Sequence, residues 1–392
     1  MTKRVVYLDH AATTPVRPEV LEAMLPFLRD GDAFGNPSSA HRFGRAARAA
    51  VEQAKRAIAE ALAAEPNQVI FTSGGTEADN LAIIGAALAA RARGGPFRVA
   101  VSAIEHKATL AAAHAVRDLG GEEVVLPVTS AGVVEDGALA EAIAGGVAVV
   151  SVMWVNNEVG TIQPVARIAE RCCEAGVLFH TDAVQAFGKL PVSVRDVRCT
   201  LLTISGHKIG APKGIGALIV RDRKAVEAIL HGGGQQFGIR PGTENVPGIV
   251  ALGAAARLAA LEQAAAAERL RAVRAELERR LPEVVPDAIV NGRRAERAPH
   301  ICNVSIPGTD SEALLMHLDL AGIACSSGSA CSTGAVEPSH VLTAMGVPRE
   351  LGVAALRFSF GKATAVDDVE ALATVLPRIV EKVRSLSAVL HR

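Results

Sequence analysis

Aromatic residues are scarce in this chain, and neither sign of charge is in excess. Phenylalanine, tyrosine and tryptophan make up 3% of the 392 residues, whereas apolar residues make up 49%. The core must therefore be built mainly from alanine, valine, leucine and isoleucine. Lysine plus arginine equals aspartate plus glutamate, at 41 each. Because basic residues are not in excess, we expect no electrostatic attraction of the chain to nucleic acid or to an anionic membrane.

Long apolar runs and a cysteine framework are also missing. No stretch reaches about 18 apolar residues without a charge or a helix breaker, so we expect no membrane span. The N-terminal residues hold no long apolar run before Asp9, so we expect no signal peptide and a cytoplasmic protein. Six cysteines in so long a chain make no disulfide framework, and their spacing predicts no metal site. Four scattered cysteines are expected to be buried thiols: Cys172, Cys173, Cys199 and Cys302.

Short apolar segments alternate with helical segments through most of the chain. Strands are predicted at 69–71, 99–101, 124–126, 147–153, 177–181, 201–204 and 214–220. Strand–helix alternation is typical of a mostly parallel sheet, whose ligands bind on the loops where the strands end. Residues 251–281 predict one or two long helices that lead to a smaller domain. We place the large domain at residues 16–262 and the smaller one at residues 1–15 and 263–392.

Lys208 lies on a short loop between two of these predicted strands. The apolar run from Leu201 to Ile204 leads into the loop, and the run from Gly214 to Val220 leads out of it. Apolar flanks desolvate a lysine and lower its pKa, which suits it to form a Schiff base with a carbonyl compound. Taken alone, a solvated turn lysine is the commoner outcome, so the other loops decide between the two.

Those other loops carry polar clusters. Residues 72–77 are glycine-rich and open a helix, which suits a phosphate with Thr76 as a donor, although Thr76 as a plain helix cap is an alternative. His106 could stack on a ring or move a proton, or be a structural histidine. The amide of Asn157 suits a carboxylate or hydroxyl, and Asp182 needs a cationic partner such as a protonated ring nitrogen. Together with a reactive lysine, these groups describe a site for pyridoxal phosphate.

Residues 325–334 form a loop rich in serine and glycine, which predicts a mobile, exposed segment. A cysteine in such a loop is accessible to oxidation or attack. Cys331 lies at its centre, whereas Cys325 follows apolar residues and is expected to be packed. Further on, Arg357 is a charge inside an apolar strand. A substrate carboxylate is a natural bidentate partner for it, and an internal ion pair is the alternative.

Nine short motifs follow one another in a specific order. They are L-D-H-A-A-T-T from Leu8, N-P-S-S from Asn36, T-S-G-G-T-E from Thr72, E-H-K from Glu105, N-N-E-V-G from Asn156, T-D-A-V-Q from Thr181, S-G-H-K from Ser205, R-P-G-T from Arg240 and S-S-G-S-A-C from Ser326. Together they resemble the cysteine desulfurases of the NifS/IscS type, in the class V aminotransferase family of fold-type I pyridoxal-phosphate enzymes. The resemblance covers essentially the whole chain. It implies an α/β fold-type I transferase, with a large domain on a mostly parallel seven-stranded sheet and a smaller α+β C-terminal domain.

The resemblance also implies a role for particular residues. Lys208 attaches the cofactor, His106 stacks on its ring and helps to transfer protons, and Cys331 is the nucleophile. Asp182 pairs with the pyridine nitrogen, and Gln185 contacts the ring hydroxyl. The residues implied to bind the cofactor phosphate are Gly75, Thr76, Ser205 and His207, with Thr243 contributed by the partner subunit of a homodimer. The residues implied to bind the substrate carboxylate are Asn157 and Arg357.

The implied reaction takes sulfur from L-cysteine, releases L-alanine and leaves a persulfide on Cys331. That sulfur would pass to an acceptor protein, such as an iron–sulfur scaffold, or into thiocofactor assembly. A selenocysteine lyase, another β-eliminating pyridoxal-phosphate enzyme and a low-activity sulfur-transfer scaffold are the alternatives. The scaffold alternative rests on Gln236-Phe237, which stand where the family usually has a Glu-Arg pair. A second departure, the additional Cys325, could form a disulfide or relay sulfur.

Overall fold

A computed structural model describes residues 5–328, 330–332 and 335–390, without the side chains of 330–332, 335–336 and 387–390. Its strands are β1 (Val6–Tyr7), β2 (Val69–Thr72), β3 (Arg98–Ser102), β4 (Glu122–Leu126), β5 (Val149–Ser151), β6 (Leu178–Asp182), β7 (Leu201–Ser205), β8 (Gly216–Val220), β9 (Ile289–Val290), β10 (Ile301–Ser305), β11 (Ile323–Ala324), β12 (Ala330–Ser332), β13 (Ala335–Glu337) and β14 (Ala355–Ser359). Its α-helices are α1 (Pro18–Met24), α2 (Arg42–Leu62), α3 (Gly75–Ala92), α4 (Lys107–Asp118), α5 (Asp136–Ala144), α6 (Val165–Glu174), α7 (Val194–Val197), α8 (Val246–Val284), α9 (Ser311–Ala321), α10 (His340–Ala344), α11 (Arg349–Gly352) and α12 (Val366–Leu390).

The central sheet has seven strands in the order β2-β8-β7-β6-β5-β3-β4. The strands from β7 to β4 pair in parallel, whereas β8 pairs antiparallel with both β7 and β2. Because successive side chains of a strand point to opposite faces, Leu201 packs in a core with α3 and α4, and Leu202 packs in a core with α2 and α8. Covered faces explain why β7 and β8 are buried along their whole length. The predicted mostly parallel seven-stranded sheet is confirmed.

A separate hydrophobic core surrounds a three-stranded antiparallel sheet of order β14-β10-β9. It takes Val6 and Leu8 from the N-terminal segment and further apolar residues from α9 and α12. Strand β1 joins this region by pairing in parallel with β11. The region is the predicted smaller α+β part of the fold, while the exact domain boundaries given above stay a prediction.

Helix α8 connects the two parts as a single helix of 39 residues. Ala255 packs in the core of the large sheet, whereas Leu270 and Leu277 pack in the second core. By length and composition alone this helix could cross a membrane, a criterion that the core helix of a soluble protein also meets. Most of its buried residues belong to these two cores, as expected of a core helix that bridges two parts of a fold.

One prediction on the cysteines differs from the structure. Cys173 is exposed, so the prediction that it is a buried thiol is wrong, whereas Cys172, Cys199 and Cys302 are buried. Cys172 packs in the core of the large sheet, whereas the next position of α6, about 100° further round the helix, faces solvent. Strand β12 lies in the serine-rich loop at residues 325–334 and pairs antiparallel with β13, which follows that loop. The predicted mobility falls on a loop of which residues 329, 333 and 334 lie outside the described part.

Candidate active site

The loops that follow the strands of the central sheet enclose a cavity of about 360 Å³. Ten of the twelve predicted site residues line it. They are Gly75, Thr76, His106, Asn157, Asp182, Gln185, Ser205, His207, Lys208 and Arg357. Because parallel strands end at the same edge of a sheet, loops far apart in sequence meet there.

Lys208 ends a turn of 3₁₀ helix that begins at Gly206, directly after β7. Its Nζ donates to the backbone oxygens of Ala11 and Ala12, at 2.5 and 2.7 Å. Burial, and then the charge of Arg357, lower the pKa of Lys208 to about 8. A lysine with a lowered pKa is more often uncharged near neutral pH, so its amine can attack a carbonyl carbon.

The phosphate end of the cavity is formed by the start of α3. This helix begins at Gly75 with Gly74 as its N-cap, and no side-chain hydrogen bond caps it. The alternative in which Thr76 is a plain helix cap is therefore wrong. The first N–H groups of a helix have no intrahelical partner and attract anions. Ser205 and His207 line the cavity together with Thr76, so polar side chains supplement those N–H groups.

Asp182 lies at the end of β6 and accepts a hydrogen bond from the backbone N–H of Val184 at 2.8 Å. Among the described side chains, no lysine or arginine lies within ion-pair distance of it. Burial raises the pKa of Asp182 to about 6. A buried acid without a cation suits a protonated ring nitrogen, which would lower that pKa again.

Gln185 stands one turn after Asp182 and is held at both ends of its amide. Its Nε2 donates to the backbone oxygen of Ala11 at 2.9 Å, and its Oε1 pairs with His300 Nε2 at 3.2 Å. Ala11 also accepts from Lys208. The loop at residues 11–12 therefore positions both the amine and the amide that face the cavity.

His106 has a structural contact as well as a place in the cavity wall. Its Nδ1 accepts a hydrogen bond from the backbone N–H of Ala108 at 3.1 Å and so caps α4. Burial, and then the charge of Lys208, lower the pKa of His106. The ring is therefore neutral near pH 7, and a fixed neutral imidazole can stack on a flat ligand and accept a proton.

Arg357 forms the ion pair that was the alternative to substrate binding. Its Nη2 lies 2.8 Å from Asp9 Oδ1, and its Nη1 donates to the backbone oxygen of Asn157 at 3.1 Å. The residue is 7% exposed and still lines the cavity. A guanidinium has five N–H donors, and these two contacts use only two of them. The ion pair therefore fixes the arginine and leaves donors for a carboxylate.

The residues present fit pyridoxal phosphate. A lysine amine with a lowered pKa, a helix N-terminus with hydroxyl and imidazole neighbours, and a buried acid without a cation surround one cavity. The first group suits the aldehyde carbon, the second the phosphate and the third the pyridine nitrogen.

Comparison with known proteins agrees with this chemistry. Residues 6–372 match the family model described as aminotransferase class-V. The chain belongs to this family. A cysteine desulfurase IscS from Dictyoglomus turgidum is 44% identical over 385 residues, which cover 98% of this chain and 97% of that protein. A NifS-like protein from Rickettsia africae has a TM-score of 0.86 and 32% identity, and the match covers 96% of this chain and 100% of that one. A structure of SspA in complex with cysteine has a TM-score of 0.78 and 34% identity, covering 91% of this chain and 98% of that one.

Class-V members of this type depend on pyridoxal phosphate, so the predicted cofactor is confirmed. The alignments with these relatives cover nearly the full length of this chain and of each relative. The prediction that the chain is a pyridoxal-phosphate-dependent cysteine desulfurase is confirmed as well.

Sequence reasoning missed an acid of this class-V enzyme, Asp79, which also lines the cavity. It lies one helical turn after Gly75 in α3 and is 1% exposed. Its Oδ1 is 3.7 Å from His180 Nε2, and burial raises the pKa of Asp79 well above its usual value. A polar residue one turn inside the phosphate-binding helix was the sequence pattern that could have identified it.

Glu105 is a second buried acid that the sequence did not reveal. It accepts hydrogen bonds from Ser102 Oγ at 2.5 Å and from the backbone N–H of Met153 at 2.8 Å. Burial raises the pKa of Glu105 to about 8. With a pKa of about 6, Asp182 ionises more readily than Glu105.

Two predicted site residues are not among the described residues of the cavity wall. Thr243 is exposed, and its neighbours Gly242 and Glu244 line a separate small cavity. Cys331 lies in β12, and its side chain is outside the described part of the chain. Cys325 is a partly buried free thiol, and burial raises its pKa to about 12. Such a thiol is protonated and unreactive at neutral pH.

The departure at Gln236-Phe237 lies outside the active-site cavity. The two residues have left-handed backbone conformations, with φ of 46° and 61°. Gln236 Oε1 accepts from the backbone N–H of Phe71 at 3.2 Å, and its Nε2 donates to Glu244. This turn therefore ties β2 to the segment that carries Thr243, and it removes nothing from the cavity.

Proposed function

We propose that Cys331 is the nucleophile of this cysteine desulfurase and carries the product sulfur as a persulfide. The proposal is supported by the cavity, which brings a reactive lysine and a carboxylate-binding arginine together. Arg357 and Asn157 hold the substrate carboxylate, which orients Cα toward Lys208. The other cysteine of the same segment, Cys325, is unsuited to attack because burial raises its pKa to about 12.

The residues of the chain supply positioning and proton transfer. Bound pyridoxal phosphate supplies an electron sink for the carbanion formed at Cα of the substrate. Lys208, with a pKa of about 8, and the neutral imidazole of His106 move protons within the cavity. The Cys331 thiolate attacks the substrate sulfur, so a sulfur–sulfur bond forms. The carbon–sulfur bond breaks with its electron pair staying on the carbon fragment, which takes up protons to become L-alanine.

This reaction balances without an external oxidant. L-cysteine and one enzyme thiol give L-alanine and one enzyme persulfide, so the transferred sulfur is oxidised while the carbon fragment is reduced. The persulfide must be discharged before the next turnover, either to a thiol reductant or to an acceptor.

The test is alanine formation from L-cysteine by the loaded enzyme with a thiol reductant. We expect turnover by the unchanged chain and by Cys325→Ser, which is the matched control from the same segment. We expect a loss of about 1,000-fold or more in Cys331→Ser, because no other thiol replaces the nucleophile. Comparable alanine from Cys331→Ser would contradict the assignment, and loss in Cys325→Ser alone would move the nucleophile to that residue.

We propose further that the enzyme is a homodimer that works in the cytoplasm and passes sulfur to an acceptor protein such as an iron–sulfur scaffold. Thr243 is exposed and lies off the cavity of its own chain, which supports a contribution to a partner's site. The five cysteines Cys172, Cys173, Cys199, Cys302 and Cys325 are free thiols, which suits a reducing compartment. Light scattering of the loaded enzyme would give the mass of the assembly, and a monomer would contradict the dimer.

A further inference from the structure

A second cavity lies behind the Lys208 loop, and among the described residues Lys208 alone lines both this cavity and the active-site cavity. It encloses about 460 Å³, and its wall is largely apolar. Ile209 in this wall belongs to the core of the large sheet, whereas Leu270 and Phe360 belong to the second core. The cavity therefore lies where the two cores meet. Cavities of this size at such junctions are typical of small-molecule sites, and the desulfurase chemistry makes no use of this one.

The carboxylate in the wall of this second cavity is already paired. Glu262 is the one acidic residue among the described residues that line it. Its two oxygens accept hydrogen bonds from Arg17, at 2.7 and 3.0 Å. Lys362, whose side chain is largely exposed, lies 3.3 Å from the same carboxylate. Glu262 is therefore committed to the side chains at one end of the cavity.

Two other basic side chains of the wall have only backbone partners among the described residues. Arg269 donates to the backbone oxygens of Thr364 and Gly361, at 2.6 and 3.0 Å. Lys189 donates to the backbone oxygen of Lys208 at 2.6 Å. Burial, and then the charge of Lys208, lower the pKa of Lys189 to about 7, so the guanidinium of Arg269 is the more persistent charge of the two. Backbone oxygens do not neutralise that charge, so the wall keeps a positive potential that attracts an anion.

We propose that this cavity binds a small organic monocarboxylate with an apolar body. The planar fork of Arg269 suits a carboxylate, with Lys189 as a second donor. The apolar remainder packs against Ile209, Leu270 and Phe360, where its burial is favourable. A dicarboxylate fits less well, because its second charge would be buried against the apolar wall without a partner.

Occupancy of the second cavity would reach the active site through two contacts. Lys189 holds the backbone oxygen of Lys208. His300, which also lines the second cavity, pairs with Gln185 Oε1 at 3.2 Å. A carboxylate that draws the Lys189 amine toward itself changes the support of the lysine loop. The visible absorbance of the bound cofactor is therefore expected to report on binding.

The test is isothermal titration calorimetry of the loaded enzyme with hexanoate, and with hexanamide as the uncharged match. We expect saturable binding of hexanoate and binding of hexanamide weaker by about tenfold or more, because a charged hydrogen bond is lost. Arg269→Gln keeps a donor for the backbone but loses the charge. In that variant we expect hexanoate to bind about tenfold more weakly, while hexanamide binding changes less than about twofold.

A substitution that fills the second cavity tests the proposal independently. Ala266 lines the cavity, so Ala266→Phe is expected to abolish hexanoate binding and its effect on the cofactor absorbance. Ala265 is exposed on the same helix. Ala265→Phe is therefore the matched control, and it is expected to keep both hexanoate binding and the effect of hexanoate on the cofactor absorbance. The cofactor spectrum of each variant shows that it is folded.

Three results would overturn the proposal. Absence of saturable hexanoate binding would show that the cavity is not a binding site. Equal affinity for hexanoate and hexanamide would show that the carboxylate is not recognised. Unchanged hexanoate binding in Ala266→Phe places the ligand elsewhere, such as at Arg357. None of these results bears on alanine formation from L-cysteine, so the desulfurase activity stands or falls separately.

Discussion

Asp9 and Arg357 form an ion pair at the wall of the active site. The geometry of this pair distinguishes a structural role of the arginine from a role in binding the substrate carboxylate. The pair at 2.8 Å is nearly buried, so Asp9 holds the guanidinium in one orientation. A substrate carboxylate needs two parallel donors from that fixed plane. Lysine at this position could keep the charge opposite Asp9, but it could not present two parallel donors.

We therefore predict that Arg357→Lys and Arg357→Ala both raise the KM for L-cysteine, by about 10- to 100-fold for the loss of a charged hydrogen bond. Steady-state alanine formation gives KM and kcat separately. Arg357→Lys keeps a cation beside Asp9, so its thermal stability is expected to stay close to that of the unchanged chain. A normal KM in both variants, with lowered stability in Arg357→Ala, would make Arg357 a structural ion pair only.

Glu105 gives a pH-dependent prediction, because burial raises its pKa from 4.5 to about 8. Below pH 4.5 the carboxyl is protonated in both the folded and unfolded chain. As the pH rises toward 8, the unfolded carboxyl ionises while the folded one keeps its proton, so the folded state loses stability relative to a neutral residue. Glu105→Gln removes this dependence.

Between pH 5.5 and 8 we expect the free energy of unfolding of Glu105→Gln to rise relative to the unchanged chain, by up to about 3 kcal/mol. Urea unfolding at the two pH values, in the same cofactor state, measures it. Glu141→Gln, an exposed position on α5, controls for the substitution itself. A constant difference between Glu105→Gln and the unchanged chain would show that the folded carboxyl is already ionised.

At the scale of elements, the turn from β2 into α3 is held by the neighbouring strand. A Cβ on Gly216, the first residue of β8, would lie 2.8 Å from the Cα and carbonyl carbon of Gly74. Only a hydrogen at that position lets β8 approach the turn that presents the N–H groups of α3. The phosphate end of the site is thus shaped by strand packing as well as by its own loop.

We predict that Gly216→Ala displaces this turn, weakens cofactor binding by about tenfold or more, and lowers the free energy of unfolding by about 1–3 kcal/mol, as overpacking does. Cofactor release, followed by visible absorbance, measures the change in cofactor binding, and urea unfolding measures the change in the free energy of unfolding. Gly137→Ala is the control, because a Cβ there has open space within α5. It should leave cofactor binding unchanged.

The sequence alone could predict the strands and the loops that form the cavity, because both follow local rules. Apolar runs predict strands, and parallel strands end at the same edge of a sheet. The sequence alone therefore predicts that Lys208 and Asp182 lie in the same site. Asp79 lies one turn inside the predicted phosphate-binding helix, a pattern that marks it as a candidate, but its burial beside His180 is a tertiary contact that the sequence does not reveal. The second cavity was hidden for the same reason: Arg269 and Lys189 are far apart in sequence and meet across two cores.

At the scale of the whole molecule, the active site needs both cores. Lys208 follows β7 of the large sheet, and Arg357 lies in β14 of the second core. The cavity between them is lined by ten of the predicted residues, but Thr243 is exposed elsewhere on the chain. If Thr243 binds the phosphate, it must do so in the site of a second copy.

Mixed dimers can decide this. Lys208→Ala removes the reactive amine of its own site, and Thr243→Asp places a negative charge against whichever phosphate it meets. In a dimer with one copy of each variant, the Thr243→Asp subunit keeps its own Lys208 and receives an intact Thr243 from its partner. That site is complete, so we predict about half of the normal alanine formation from mixed dimers purified through two different tags. Each variant alone should be inactive. If Thr243 served its own chain, both sites of the mixed dimer would be damaged and no activity would return.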